Sequence, residues 1–548
     1  MNYREEYGKW LDKADETTVA ELANLSDKEI EDRFYRDLEF GTGGLRGVIG
    51  AGTNRMNKYI IARATKGLAN YINSQCADAA DSSVVIAYDS RNYSDVFARC
   101  AAEVLSDAGI QVYLFDSLRP TPVLSFAVRH LGATAGIVVT ASHNPAKYNG
   151  YKVYWSDGGQ VPPEVASAIL AEINKLDVFD VVYTANNERI TIIGEDVDNA
   201  YLDNVYAQSV NPDVDKSNFK LVYTPLHGSG NLPVRAILAK SGFDNVLVVK
   251  EQELPDGDFP TVASPNPENK ECFESAIALA KENDVDLIIG TDPDCDRMGI
   301  VVRNKEGDYV TMTGNQVGVL LLNYILSSKK PPENGAVVST IVSTPMGRVV
   351  AEHYGMTYFA TLTGFKFIGE KIYEFEKSGN YTFMFGYEES YGYLKGTYAR
   401  DKDGVVAAML TAEMGAYYAR EGKTLYDVME SLYEKFGAYY EELQNLTFEG
   451  VEGAAKMKSV MKNFRTGGIA NIGDAKIMNV TDYLGDTDLP KSDVLYFSLD
   501  NGVDFVIRPS GTEPKVKIYY LAKADTYDEA VAKTKYVKEC IDRELDKM

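Results

Sequence analysis

Cysteine is scarce in this chain, with 5 in 548 residues and none in a close CxxC pair. That speaks against a disulfide framework and leaves reduced thiols, as expected of a cytoplasmic protein. Long apolar runs are missing too. No stretch reaches the ~18 residues of a membrane-spanning helix, and Met1-Asn2-Tyr3-Arg4-Glu5-Glu6 opens without the apolar region of a secretion signal. Positive charge is in short supply: 56 Lys and Arg stand against 80 Asp and Glu, a net charge of −24. Nucleic acid and anionic membranes are therefore poor partners, and any phosphate site must gather its cations locally. What is present, 45% hydrophobic and 25% charged residues, is the composition of an ordinary soluble protein. The length is too great for one core and predicts three or four domains. Oligomeric state has no signal here; a monomer or a dimer is expected.

Apolar β-branched runs recur, each ending in a Gly/Ser/Thr/Pro turn and followed by a helix-like stretch. Val84-Val85-Ile86 leads into Asp89-Ser90-Arg91, and Leu221-Val222-Tyr223 into Thr224-Pro225-Leu226-His227-Gly228. Val337-Val338 runs on towards Ser343-Thr344-Pro345. Strand, tight turn and helix in alternation predict α/β layers with a mixed or parallel sheet. Ligands of such folds gather at the carboxyl ends of the strands, where these turns lie. Residues 5–40 read as a charged helical extension ahead of the first domain.

Two of the turns carry chemistry. Gly136-Ile137-Val138-Val139 delivers the chain into Thr140-Ala141-Ser142-His143-Asn144-Pro145, and Pro145 keeps a helix from starting at once. Ser142 is thus expected at a strand tip, its hydroxyl facing a cleft. After Leu287-Ile288-Ile289-Gly290 comes Thr291-Asp292-Pro293-Asp294-Cys295-Asp296-Arg297. Its three carboxylates at alternate positions point one way if the backbone is extended. Crowded anions call for a cation, and hard oxygen donors suit Mg²⁺. Cys295 reads as a small filler.

Further loops suit phosphate. Gly41-Thr42-Gly43-Gly44-Leu45-Arg46-Gly47 ends a flexible segment in a guanidinium able to grip phosphate with two parallel hydrogen bonds. Arg508-Pro509-Ser510-Gly511-Thr512 offers a cation, hydroxyls and backbone N–H groups, without P-loop spacing. Lys515 and Lys517 read as solvated charges.

Four segments together resemble the α-D-phosphohexomutases, the family of phosphoglucomutases and phosphomannomutases, and the likeness covers nearly the whole chain. Thr140–Pro145 resembles the phosphoserine loop and Asp292–Arg297 the magnesium loop. Gly386-Tyr387-Glu388-Glu389-Ser390-Tyr391-Gly392 resembles the sugar-specificity loop and Arg508–Pro514 the phosphate-binding loop. The resemblance implies three similar α/β domains and a smaller α+β domain around a central cleft. The boundaries are expected at 1–205, 206–312, 313–436 and 437–548. It also implies a Mg²⁺-dependent phosphoglucomutase moving phosphate between the 1- and 6-hydroxyls of glucose through phosphorylated Ser142, with glucose 1,6-bisphosphate as intermediate and primer.

Residue by residue, the resemblance implies that Ser142, Asp292, Asp294 and Asp296 bind the metal, and that Arg46 faces the serine loop. Arg91 and Arg297 are supporting residues, and His143 braces the serine loop. Lys152 resembles a proposed acid/base residue. Some relatives carry a histidine where this chain has Gly392, and Arg400-Asp401-Lys402-Asp403-Gly404 makes Lys402 the second acid/base candidate. Glu388 and Ser390 are expected on sugar hydroxyls, Thr363, Gly364 and Lys366 on the substrate, and Arg508, Ser510, Gly511 and Thr512 on its distal phosphate. Tyr387 and the N-terminal extension point instead to a phosphopentomutase. Phosphomannomutase side activity, a phosphosugar-binding protein without turnover and a phosphatase-like hydrolase are the remaining alternatives.

Overall fold

The computed structural model describes residues 2–41, 43–76, 79–185, 187–448, 450–509 and 515–547. Four sheets succeed one another along the chain. The first orders its strands Gly44–Val48, Tyr148–Trp155, Ala135–Val139, Ser83–Tyr88, Gln111–Phe115 and Ile190–Ile193. Its last four strands run parallel and the first two are antiparallel additions. The second places Lys220–Thr224 parallel to both Asn245–Val248 and Leu287–Thr291, with Met298–Arg303 and Tyr309–Met312 antiparallel beyond. The third sets Gly335–Thr340 between Thr357–Thr361 and Thr382–Glu388, both parallel, with Gly392–Leu394 turned back at the edge.

These are the buried runs that the sequence marks. Ala135–Val139 and Leu287–Thr291 are buried at every position, as central strands covered on both faces must be. The fourth sheet differs: its six strands, from Ala438–Thr447 to Ala475–Asp482 and Asn471–Ile472, are all antiparallel. Helix Tyr527–Leu545 packs on this sheet. The fold is thus three α/β units and a C-terminal α+β unit.

The N-terminal stretch forms helices Tyr3–Lys13, Glu16–Leu22 and Asp27–Phe34, yet it is more than a charged extension. Trp10 is fully buried, its ring 5.8 Å from Phe34, 5.3 Å from Tyr59 and 5.3 Å from Phe179. The extension therefore completes the first core.

Helix Gly404–Ala419 is buried along nearly its whole length and ties the units together. Its Glu413 accepts hydrogen bonds from Val210 N (2.9 Å), Asn211 N (2.8 Å) and Tyr324 Oη (2.8 Å). Among the described residues no helix is long and apolar enough to cross a membrane.

Where the third unit passes into the fourth, Glu441 lies against Asn315, Thr344 and Tyr433, and its Oε1 is buried without a hydrogen-bond partner. Burial pushes this carboxyl up to about 7 against the opposing pull of Thr344 and Asn315. A carboxyl raised on folding contributes stability below its unfolded pKa, and that contribution is lost as pH rises through about 7. Glu441→Gln is expected to leave the melting temperature unchanged near pH 4.5. Near pH 8 it is expected to stabilise by about 3 kcal/mol, read from melting curves across that window.

Candidate active site

The strand Ala135–Val139 ends at Thr140, and Ser142 follows with φ 53° in the left-handed region. A non-glycine residue there costs roughly 1–3 kcal/mol and persists only when its surroundings hold it. Two anchors do so. Ser142 N donates to Thr140 Oγ1 at 2.8 Å, and Thr140 Oγ1 donates to Asp89 Oδ2 at 2.6 Å. Arg91, buried beside Asp89, donates to the carbonyls of Ser142, Asn144, Pro145 and Tyr148. One guanidinium thus holds the whole serine turn from below.

Asp292–Arg297 is the hairpin turn between the antiparallel strands Leu287–Thr291 and Met298–Arg303, and its backbone is not extended as the sequence suggests. Cys295 takes φ 49° and its N–H closes the turn onto Asp292 O at 2.9 Å. The carboxylates converge because the chain curls, not because alternate residues share a face. All three are buried, with one oxygen of each within 4.8 Å of the others.

Burial and the neighbouring Asp294 and Asp296 push Asp292 well above the usual carboxylate range. Burial acts the same way on Asp294, but Lys152 overrides it and holds Asp294 low. Asp294 Oδ1 and Asp296 Oδ1 are buried without hydrogen-bond partners, a costly state unless another group satisfies them. Ser142 Oγ donates to Asp292 Oδ2 at 2.7 Å. Three carboxylates and a hydroxyl, all hard oxygen donors, fit a divalent cation such as Mg²⁺.

Two lysines close on the same carboxylates. Lys152, on the strand Tyr148–Trp155, lies 2.9 Å from Asp294 Oδ2 and 3.4 Å from Asp296 Oδ2. Lys402 lies 3.0 Å from Asp296 Oδ2 and 3.2 Å from Asp401 Oδ1. Burial pulls both ammonium groups down, but the carboxylates outweigh it and hold both raised. His143 Nδ1 lies 3.1 Å from Ser142 Oγ. Burial, with Arg297 and Arg46 nearby, pushes its imidazole well below the usual histidine range, so it is neutral. Arg46 is exposed, with Nη1 3.5 Å from Asn144 Oδ1 on the serine turn. Arg297 ion-pairs with Glu268 at 2.6 Å.

The third unit is pinned to this hairpin. Met298 N donates to Tyr391 O at 3.1 Å and Gly404 N to Cys295 O at 3.0 Å. Glu388 is buried beside Lys402: a Cβ on Gly392 would meet Lys402 Cδ at 2.3 Å and Glu388 Oε1 at 2.9 Å. Burial raises Glu388 to about 7, with Lys402 opposing. Ser390 lies half-buried in the following turn. Tyr387 faces the other way, as strand alternation requires. Its ring lies against Gly318 and Gly347, inside a hydrophobic core shared by the first three units.

Thr363 and Gly364 (φ 120°) precede helix Phe365–Ser378, and Thr363 Oγ1 is buried without a partner. Phe365 brings this turn to the site, its ring centroid 5.9 Å from Lys402 Nζ. Burial pulls the Lys366 ammonium down.

From the fourth unit, Arg508 stands opposite Lys517 across the strands Val503–Pro509 and Lys515–Ala524. Both charges pull on Glu389, which burial otherwise raises. Lys517 is half-buried, not solvated as its sequence context suggests. Alternation with buried Val516 and Ile518 sets it on the same face as Arg508. Ser510, Gly511 and Thr512 lie outside the described residues.

Sequence reasoning also passed over Thr121, whose Oγ1 donates to Asp294 Oδ2 at 2.8 Å. Asp401 was missed as well; it accepts from Tyr154 Oη at 2.6 Å and Gln160 Nε2 at 3.1 Å. No local pattern marks Thr121, and the stretch Arg400–Gly404 pointed to Lys402 rather than to Asp401.

Comparison with known proteins identifies the family. Residues 37–178, 199–307 and 313–436 match the family models for phosphoglucomutase/phosphomannomutase alpha/beta/alpha domains I, II and III. The chain belongs to the phosphoglucomutase/phosphomannomutase family. It is a phosphotransferase of the mutase class. A phosphoglucomutase of Staphylococcus epidermidis is 37% identical over 537 residues, which span 95% of this chain and 97% of that protein. One of Staphylococcus aureus is 36% identical over 541 residues, 96% and 97% of the two chains.

Among solved structures, the exocytosis-sensitive phosphoprotein pp63/parafusin (phosphoglucomutase) of Paramecium, in its open form, is similar with a TM-score of 0.70 at 19% identity. It covers 93% of this chain and 95% of that one. Aspergillus fumigatus N-acetylphosphoglucosamine mutase, in complex with GlcNAc-6P and magnesium, is similar at 0.51 and 12% identity, over 99% of each chain. These two likenesses show the family's fold.

Proposed function

We propose that the chain is a phosphoglucomutase, interconverting α-D-glucose 1-phosphate and glucose 6-phosphate through phosphorylated Ser142 and a bound glucose 1,6-bisphosphate. The observation that carries this reading is the 2.7 Å contact between Ser142 Oγ, held in a left-handed turn, and Asp292 Oδ2 in a buried carboxylate cluster with two unsatisfied oxygens. The relatives of 36–37% identity, both phosphoglucomutases, support glucose as the sugar.

Asp292, Asp294, Asp296 and Ser142 would hold Mg²⁺, which when bound neutralises charge on the phosphoryl group in transfer. In the first half-reaction the bond from Ser142 Oγ to phosphorus breaks as one forms to the free sugar hydroxyl, whose proton leaves to a base. The second half is the reverse, at the other end of a sugar that has turned over. Lys152 and Lys402 are the groups placed to give and take these protons. Both are bound to carboxylates of the cluster, Lys152 to Asp294 and Asp296 and Lys402 to Asp296. Arg508 and Lys517 hold the phosphate that is not reacting, with the loop 510–512. Glu388 and Ser390 read the sugar hydroxyls.

Five free cysteines, four of them buried, suit a cytoplasmic enzyme. The test is mass spectrometry of the purified chain. The peptide carrying Ser142 is expected to gain one phosphoryl group from glucose 1,6-bisphosphate and lose it to glucose 6-phosphate. A chain that never carries phosphate on Ser142 would sink the proposal.

A further inference from the structure

The turn Thr224-Pro225-Leu226-His227-Gly228-Ser229-Gly230 follows the strand Lys220–Thr224, and no step of the proposed reaction uses it. Its backbone is nonetheless unusual. Leu226 (φ 45°) and His227 (φ 60°) are consecutive left-handed residues without glycine's freedom, a strained arrangement that persists only where its surroundings enforce it. They do: both residues are buried, His227 N donates to Gln252 O at 2.9 Å, and His227 Nε2 lies 3.0 Å from Thr261 Oγ1.

The strained turn aims its next three residues at the aspartate hairpin. Ser229 is buried and donates twice to one acceptor, Pro293 O: from its N–H at 2.8 Å and from Oγ at 2.7 Å. Gly228 lies so close that a Cβ would meet Pro293 Cα at 2.5 Å, and a Cβ on Gly230 would come within 2.9 Å of Cys295 Sγ. The Pro293 carbonyl belongs to the peptide that joins Pro293 to Asp294, so Ser229 orients that peptide directly. The next carbonyl, that of Asp294, accepts from Thr121 N at 2.9 Å. The peptides on either side of Asp294 are therefore fixed from two different domains.

We propose that Ser229 is a positioning residue which, through the Pro293 carbonyl, sets the affinity of the Asp292/Asp294/Asp296 cluster for its divalent cation. Three carboxylates that repel one another load the hairpin, and the two Ser229 donors on one carbonyl hold its backbone while Lys152, Lys402 and Thr121 hold its side chains. Mg²⁺ tolerates little departure from octahedral geometry, so a relaxed hairpin loses affinity for it. The inference rests on the metal reading given above.

Calorimetric titration of the full chain with Mg²⁺, beside a metal-free melting curve, tests it. For Ser229→Ala the dissociation constant is expected to rise about tenfold, with the metal-free melting temperature close to that of the unaltered chain. An unchanged dissociation constant overturns the inference, whatever the melting curve does. Should Ser229→Ala fail to fold, Gly228→Ala, which pushes on the same proline from the same turn, decides the matter by the same constant. If the unaltered chain itself takes up no Mg²⁺, the metal reading fails, which this titration separates from a failure of the role of Ser229.

Discussion

Ser142→Ala is expected to lower mutase turnover by about 10⁴-fold or more, since the proposed reaction carries the phosphoryl group on the Ser142 hydroxyl. Ser142 Oγ contacts Asp292 Oδ2 and His143 Nδ1. The nearest alternative nucleophile is thus His143, whose neutral imidazole is placed beside the serine. If His143 were the true carrier, Ser142→Ala would keep a labile phosphoenzyme; if Ser142 is, incorporation of phosphate disappears with turnover. Fold is expected to survive, because the turn is held by Arg91 on backbone carbonyls and by Thr140 on a backbone N–H. Relief of the left-handed φ is not part of the change, as alanine is strained there too.

Asp292→Asn has the second-largest expected effect, and it splits stability from activity. Burial and two adjacent carboxylates raise Asp292 far above its ordinary range, so folding binds a proton or carries an unfavourable charge. For a group raised on folding, the stabilising contribution is complete below the unfolded pKa and lost as pH rises through the folded one. Asparagine removes that loss. The metal-free variant is expected to melt a few degrees higher than the unaltered chain at neutral pH, with the gap closing towards pH 4. Activity is expected to fall about 10³-fold, the several kcal/mol that a bound cation gives to a transferring phosphoryl group. Saturating Mg²⁺ should raise the melting temperature of the unaltered chain more than that of the variant. Differential scanning calorimetry with and without Mg²⁺, beside steady-state rates, checks all three points.

The fold was legible in the sequence because buried central strands are short continuous runs of β-branched residues, and Ala135–Val139 and Leu287–Thr291 are such runs. Proximity of Ser142 to the aspartates was legible for a related reason: both follow strands, and α/β sheets gather such turns at one edge. The path of the backbone was not. Pro293 and three alternating aspartates fit an extended segment as well as a hairpin, and only the left-handed Cys295 distinguishes them. Lys517 was misread because which face a strand residue takes depends on register, fixed by pairing with a neighbouring strand. Thr121 and Asp401 reach the site across domain interfaces, and no local pattern encodes such contacts.

The most direct test is kcat/KM for glucose 1-phosphate against ribose 1-phosphate, with Mg²⁺ and the matching bisphosphate primer supplied and inorganic phosphate followed in parallel. A hydrogen-bonded sugar hydroxyl is worth ~1–3 kcal/mol when its partner would otherwise stay unpaired, so glucose 1-phosphate is expected to be preferred at least about tenfold, with little free phosphate. Preference for the pentose would contradict the roles given to Glu388 and Ser390 while leaving Ser142 in place. Stoichiometric release of phosphate would contradict the mutase itself.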